Sequence, residues 1–496
     1  MEHGKLKPLM FAGTGSDVGK SIIVTAICRI LKQDGYSPAP FKAQNMSLNS
    51  YATPDSLEIG RAQAVQAEAA EIECSTDMNP LLLKPNSDLT SQIVLNGRPV
   101  GNSSAKGFFR QEGRDILRKE INSSFDRLSS KYNPIIMEGA GSIAEMNLMD
   151  IDLVNMPMAR YADANIILVA DIDRGGVFAS IYGSVMLQKP EDRRRIKGVI
   201  INKFRGDISL FNTGKEIIEK TSGIKVLGII PYLDDIDIDE EDSVSLAKRN
   251  KKYTQGKVNI VVVLLPHMSN FTDFARLEHD SRINLYYSYS PEEIAKADIT
   301  IIPGSKNTIS DLNEIRNKGI DTAIIDNAKK GKSVIGICGG YQIMGMEISD
   351  PLSIESNNAF VNGLGLLPIR TTITKEKITQ QREFSFMEGE QRCKGYEIHM
   401  GNSELIDGKD YMKVATFDDG SSDGVMINDR CFGTYLHGIL DNKVIVDKLV
   451  SPYCTIESSD SIDYDQYKDY QYNRLASHVR ENIDMDLFYK ILNSDD

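Results

Sequence analysis

The sequence lacks several features, and each absence narrows what it can be. Its six cysteines (Cys28, Cys74, Cys338, Cys393, Cys431 and Cys454) include no C-x-x-C pair. So few in 496 residues point to a reduced, cytosolic protein. The longest uninterrupted apolar run is about Ile260 to Pro266, far short of the ~20 residues a membrane span needs. Met1 to Pro8 carry no apolar core of a secretory signal. Positive charge is in deficit: a net charge of −13 argues against a nucleic-acid or anionic-membrane surface, so neither partner is expected. There is no internal repeat or low-complexity tract. Only six histidines are present, which limits the choice of any general base.

What is there points to more than one domain, since the chain is long and 41% apolar. The stretch Gly13-Thr14-Gly15-Ser16-Asp17-Val18-Gly19-Lys20-Ser21 lies between an apolar run, Pro8 to Ala12, and a helix-like run, Ile22 to Leu31. Strand, glycine-rich loop and helix form the setting of a phosphate-binding loop. The glycines let backbone N–H groups turn onto a phosphate, and the helix N-terminus adds the positive end of its dipole. Gly13, Thr14, Gly15 and Gly19 would cradle ATP phosphates, Lys20 would reach the terminal ones, and the Ser21 hydroxyl would meet Mg²⁺. Gly13 and Gly19 have five residues between them where the common pattern has four, so this is a variant loop.

Further apolar runs end in acids or polar turns. Glu58 to Ala70 reads as a helix with Glu58 near its start, where it could face a metal. Asn79 to Pro85 and Ser91 to Gly97 read as short strands, and Lys106 to Ser130 as a helix. Pro134 to Met137 deliver Glu138 and a second glycine turn, Gly139 to Ser142. Asn165 to Ala170 deliver Asp171, Asp173 and Gly175-Gly176, while Gly198 to Ile201 end at Asn202. Ligands of an open α/β sheet bind beyond the carboxyl ends of its strands. Glu138 is therefore expected to hold Mg²⁺ opposite Ser21, with Glu58 and Asp171 as fallback ligands, and Asn202 is expected to meet the nucleotide base. Alternating strands and helices predict a doubly wound, mostly parallel sheet.

Asp234 to Gly256 are highly charged and contain few large apolar residues, as a linker would. This places one domain at 1–233, a linker at 234–256 and a second domain at 257–496. In the second, Ser333 to Ile337 run into Cys338-Gly339-Gly340-Tyr341-Gln342, the layout of a nucleophile elbow. Backbone N–H groups at the following helix start and near Gly304 would form an oxyanion hole. The base would be His437 or His399, with His437 favoured. The amphipathic run Tyr467 to Leu492 is expected to pack as a helix on the second domain.

Together these segments resemble the glutamine-hydrolysing cobyric acid synthase family. The resemblance spans nearly the whole chain. It is carried by Gly13 to Ser21, Phe41 to Met46, Glu58 to Gln63, Asn79 to Asp88, Glu138 to Ser142, Ala170 to Phe178 and Asn202 to Asp207. It continues in Pro303 to Thr308, Gly336 to Gln342, Gly395 to Gly401 and Gly433 to Gly438. It implies a dethiobiotin-synthetase-like ATP domain joined to a class I glutamine amidotransferase domain, with Cys338 as nucleophile and His437 as its base. It also implies L-glutamine and a corrinoid, adenosylcobyrinic acid a,c-diamide, as substrates. Other class I amidotransferases carry a glutamate two positions after the histidine, whereas position 439 here is Ile. What orients His437 is left open. The alternatives are a cobyrinate a,c-diamide synthase, a cell-wall amidotransferase, or a P-loop ATP switch of the chromosome-partitioning type. Such a switch carries an extra lysine early in the loop, where this chain has Thr14, Gly15 and Ser16.

Overall fold

The computed structural model describes residues 4–87, 90–104, 114–233, 235–238, 252–356, 359–406, 408–454 and 464–493. Most of the expected charged linker, and the first residues of the helix expected from Lys106, lie outside them. The described part of that helix is Arg114–Ser129.

The first domain is built on a six-stranded parallel sheet. In chain order its strands are β1 (Leu9–Gly13), β2 (Ala39–Phe41), β3 (Ile135–Glu138), β4 (Asn165–Asp171), β5 (Ile196–Phe204) and β6 (Lys225–Pro231). Their order across the sheet is β6-β5-β4-β1-β3-β2. Every residue of β1 and β4 is buried, as strands covered on both faces require. The period-two alternation of β1 sends Leu9 and Phe11 into one core and Met10 and Ala12 into the other. A four-stranded sheet that includes Gln44–Met46, Leu81–Ser87 and Thr90–Leu95 projects from this body.

The second domain has its own sheet: β7 (Val258–Val263), β8 (Ile283–Ser288), β9 (Ile299–Ile302), β10 (Ser333–Ile337), β11 (Val425–Asn428) and β12 (Cys431–Thr434). Its order is β8-β7-β9-β10-β12-β11, parallel except for the β11–β12 pair. A long antiparallel hairpin, Ile369–Phe386 with Arg392–Leu405, extends from it and touches the first domain. There Gln381 donates to the Ala52 carbonyl at 2.9 Å, and Tyr396 packs edge-on against Tyr51.

The C-terminal run departs from expectation. It forms two helices, Tyr464–Asn482 and Met485–Asn493, and they cover the first domain. Tyr472, Leu475, Val479, Phe488 and Ile491 share a core with Leu9, Phe11, Ile23 and Ile27. Arg29, buried on the phosphate-loop helix, pairs with both Glu71 and Asp469 at 2.6 Å. Gly228 of β6 lies so close to the Asn482 carbonyl that a Cβ would meet it at 2.3 Å. An amphipathic stripe specifies that a face must be buried, but it does not name the surface that buries it.

Candidate active site

The phosphate loop folds as its glycines allow. Gly19 has φ +94°, a conformation L side chains rarely adopt, and Lys20 opens the following helix. The Lys20 ammonium donates to the carbonyls of Gly15 and Gly141 at 3.1 Å each, which ties the two glycine turns together. Asn202, in β5, lies beside this loop. Its amide nitrogen donates to the Val18 carbonyl at 2.9 Å, so it braces the loop from the neighbouring strand end.

Glu138 stands at the end of β3 with every polar atom engaged. Its Oε1 accepts from the Ser21 hydroxyl at 2.8 Å and from the Lys42 ammonium at 2.9 Å. Its Oε2 accepts from the Gln66 amide at 2.6 Å. Burial alone would raise its pKa, but Lys42, Gln66 and Ser21 together hold it below the usual carboxylate range. Cis ligands of an octahedral ion at ~2.0–2.1 Å lie about 2.9 Å apart, so the Ser21 and Glu138 oxygens have the spacing to share one Mg²⁺. Lys42 neutralises the carboxylate in the structure as it stands. Among the described residues no group of three or more His, Cys, Asp or Glu is placed to hold a metal, so a cation here would take two protein ligands, phosphate oxygens and water.

Glu58 is not brought to this cluster. It sits in a short strand, Glu58–Gly60, rather than in the helix expected there. One of its oxygens accepts from Lys84 at 2.8 Å and the other from Lys377 of the second domain. Two ammonium groups on a fully buried carboxylate leave no place for a cation, which removes it as a metal ligand. Asp171, at the end of β4, accepts from Lys203 at 3.1 Å and lies 3.6 Å from Arg174, again beside cations rather than beside Ser21.

In the second domain Cys338 joins β10 to the helix Gly339–Met344 with φ 51° and ψ −107°. That is a strained conformation for a residue with a Cβ, and it aims the side chain out of the turn as an elbow does. Gly340 has no room for a side chain: a Cβ would lie 1.9 Å from the Ile302 carbonyl. The Ser305 amide nitrogen packs directly against Gly339, next to the helix N-terminus.

His437 is buried beside the sulfur, which is one of its side-chain hydrogen-bond partners. Its Nδ1 is 2.7 Å from Asp273 Oδ2, and the Gly438 amide donates to Asp273 Oδ1 at 3.0 Å. Burial works against the imidazolium, but Asp273 and Cys338 outweigh it and push the pKa up to about 10. Asp273 is thus the third member that position 439 does not supply. It lies in the turn Phe271–Phe274, far from the histidine in sequence, and no motif around it announces it. His399 is engaged elsewhere, stacked on Tyr435 with its Nδ1 on the Gly401 carbonyl. Sequence reading also missed Lys42, although it lies in the segment Phe41 to Met46 that carries the family resemblance, and Gln66, three residues beyond the segment Glu58 to Gln63.

These two sites on two α/β bodies define an amidotransferase with a nucleotide-binding half. Residues 9–246 match the model of the CobQ/CobB/MinD/ParA nucleotide binding domain, and residues 259–445 match that of the CobB/CobQ-like glutamine amidotransferase domain. A cobyric acid synthase from Phocaeicola vulgatus is 59% identical over 492 residues, covering 99% of each chain. Another from Bacteroides fragilis is 57% identical over 491 residues, again covering 99% of each chain. One from Syntrophobacter fumaroxidans is 45% identical over 511 residues, with 99% of each chain covered. The chain belongs to the cobyric acid synthase family. It is an enzyme of that family, a ligase with its own glutamine amidotransferase domain. No helix among the described residues is long and apolar enough to cross a membrane.

Proposed function

We propose that the protein uses ATP and L-glutamine to amidate the remaining side-chain carboxylates of adenosylcobyrinic acid a,c-diamide, giving adenosylcobyric acid. The reading rests on one observation above all. A single chain, matched end to end by relatives named cobyric acid synthase, carries both a phosphate loop and a Cys338–His437–Asp273 constellation.

A carboxylate is a poor acyl donor because its leaving group would be oxide. Transfer of the ATP γ-phosphoryl group onto it makes an acyl phosphate, whose leaving group is phosphate. Lys20 and the loop amides stabilise charge on the phosphoryl group in transit. Bound between Ser21 and Glu138, Mg²⁺ would add charge stabilisation on the phosphate oxygens.

In the second domain His437 takes the Cys338 proton and the thiolate attacks the glutamine carboxamide. The oxyanion that forms is met by the N–H groups of Ser305 and the helix start. His437 returns its proton to the leaving nitrogen, ammonia departs, and water hydrolyses the thioester to glutamate. Asp273 holds the imidazole with Nε2 toward the sulfur and stabilises the imidazolium. Ammonia then attacks the acyl phosphate, forming the carboxamide and releasing phosphate.

Incubating the purified protein with candidate corrinoids, ATP and glutamine, and weighing the products, tests the reading. Amides on the a,c-diamide are expected. Turnover of only the acid lacking the a and c amides would assign the protein to the a,c-diamide step instead.

A further inference from the structure

The cavity beside Cys338 has a charged wall that the chemistry at sulfur does not use. Lys84, Lys306, Glu355 and Lys377 line it together with Cys338 and Gly339. Lys84 comes from the nucleotide-binding domain, on the strand Leu81–Ser87, and is only 4% exposed. Its ammonium donates to Ser50 Oγ and to Glu58 Oε1, each at 2.8 Å. An ammonium has three donors, so one remains for the cavity it lines. Glu58 also holds Lys377 across the domain boundary. Glu355 anchors the opposite side, accepting from the Thr308 amide at 2.9 Å. Lys306 interacts electrostatically with both Lys84 and Glu355. Three lysines and one glutamate thus line one space, with Glu58 pairing two of the lysines from outside the lining, so both signs of charge face a ligand.

We infer that this wall reads the amino-acid end of glutamine, Lys84 and Lys306 taking its α-carboxylate and Glu355 its α-ammonium. The inference rests on Cys338 being the glutamine nucleophile. The selectivity is chemically necessary, because the reaction makes primary carboxamides and the nucleophile must ignore them while cleaving an almost identical group on glutamine. A pocket built to pair a zwitterion rejects an amide that lacks one, since its buried charges would be left unpaired. Because Lys84 belongs to the other domain, the glutamine pocket is complete only when both domains are in place.

The test compares kcat/KM for hydrolysis of L-glutamine with that of 4-aminobutanamide, which lacks the α-carboxylate, and of glutaramic acid, which lacks the α-amino group. The ratio within one variant cancels any loss of folded enzyme. Lys84→Met and Lys306→Met should each reduce the glutamine preference over 4-aminobutanamide by roughly 10- to 100-fold. Glu355→Gln should do the same for the preference over glutaramic acid, and Lys84→Arg should retain most of the wild-type preference. Equal loss on glutamine and both analogues, leaving the ratios unchanged, would make the wall structural and overturn the assignment. Glutamine hydrolysis by Cys338→Ala would instead remove the nucleophile on which the inference stands.

Discussion

Asp273 and His437 are 164 residues apart in the chain, and Oδ2 of one is 2.7 Å from Nδ1 of the other. The turn that carries Asp273 is also held by the first domain. Asn270 accepts from the Ser50 amide at 3.0 Å, and Asn49 accepts from the Phe271 amide at 3.2 Å. The orienting carboxylate of the glutamine site is therefore fixed by a reciprocal pair of bonds across the domain boundary.

Replacing Asp273 with Asn preserves shape but removes the charge that stabilises the imidazolium and selects its tautomer. Glutamine hydrolysis should fall roughly 10²–10⁴-fold, while amidation supported by concentrated ammonium salt persists. Steady-state glutaminase and ammonia-dependent assays on the same preparation check this.

The His437 pair also has a pH signature. Its folded pKa, about 10, lies above the ordinary value of ~6.5. The stabilisation is therefore fully present below pH ~6.5 and is lost as pH rises through about 10. Thermal melting from pH 6 to 10 should show the wild type losing its advantage over His437→Gln toward the alkaline end. A difference that grows with pH would have the wrong sign.

Lys20→Ala should stop amidation with either nitrogen source, because no acyl phosphate forms. The loss of charge stabilisation at the phosphoryl group costs on the order of several kcal/mol of barrier. Glu138→Gln should raise the Mg²⁺ concentration needed for half-maximal rate and leave glutaminase turnover largely intact. An unchanged Mg²⁺ dependence would remove Glu138 from the metal site.

Gly228→Ala tests the docking of the C-terminal helices. Its Cβ would press on the Asn482 carbonyl, a backbone atom that cannot rotate away, so a loss of about 1–3 kcal/mol is expected. Denaturant melts should register it in the unfolding of the nucleotide-binding domain.

Much of this was legible in the sequence because the relevant signals are local. The loop Gly13 to Ser21, the strand ends at Glu138 and Asp171, and the elbow at Cys338 are each a few residues of apolar run followed by a turn. What escaped depends on residues distant in the chain. Asp273 reaches His437 only through the fold of the second domain. Glu58 read as a metal acid until Lys377, from the other domain, took its second oxygen. The stripe of Leu475, Val479 and Ile483 was visible, but the surface it covers was not. The contact of Asn202 with the loop, where Gly19 brings the backbone against its side-chain amide, also joins residues far apart in the chain.

The account turns on one chain making ammonia at Cys338 and using it at the phosphate loop. The most direct test gives Cys338→Ala protein ATP, the corrinoid acceptor and either glutamine or concentrated ammonium salt, and weighs the corrinoid products. Full amidation with ammonium and none with glutamine is the predicted result. Amidation from glutamine at the wild-type rate would contradict the account.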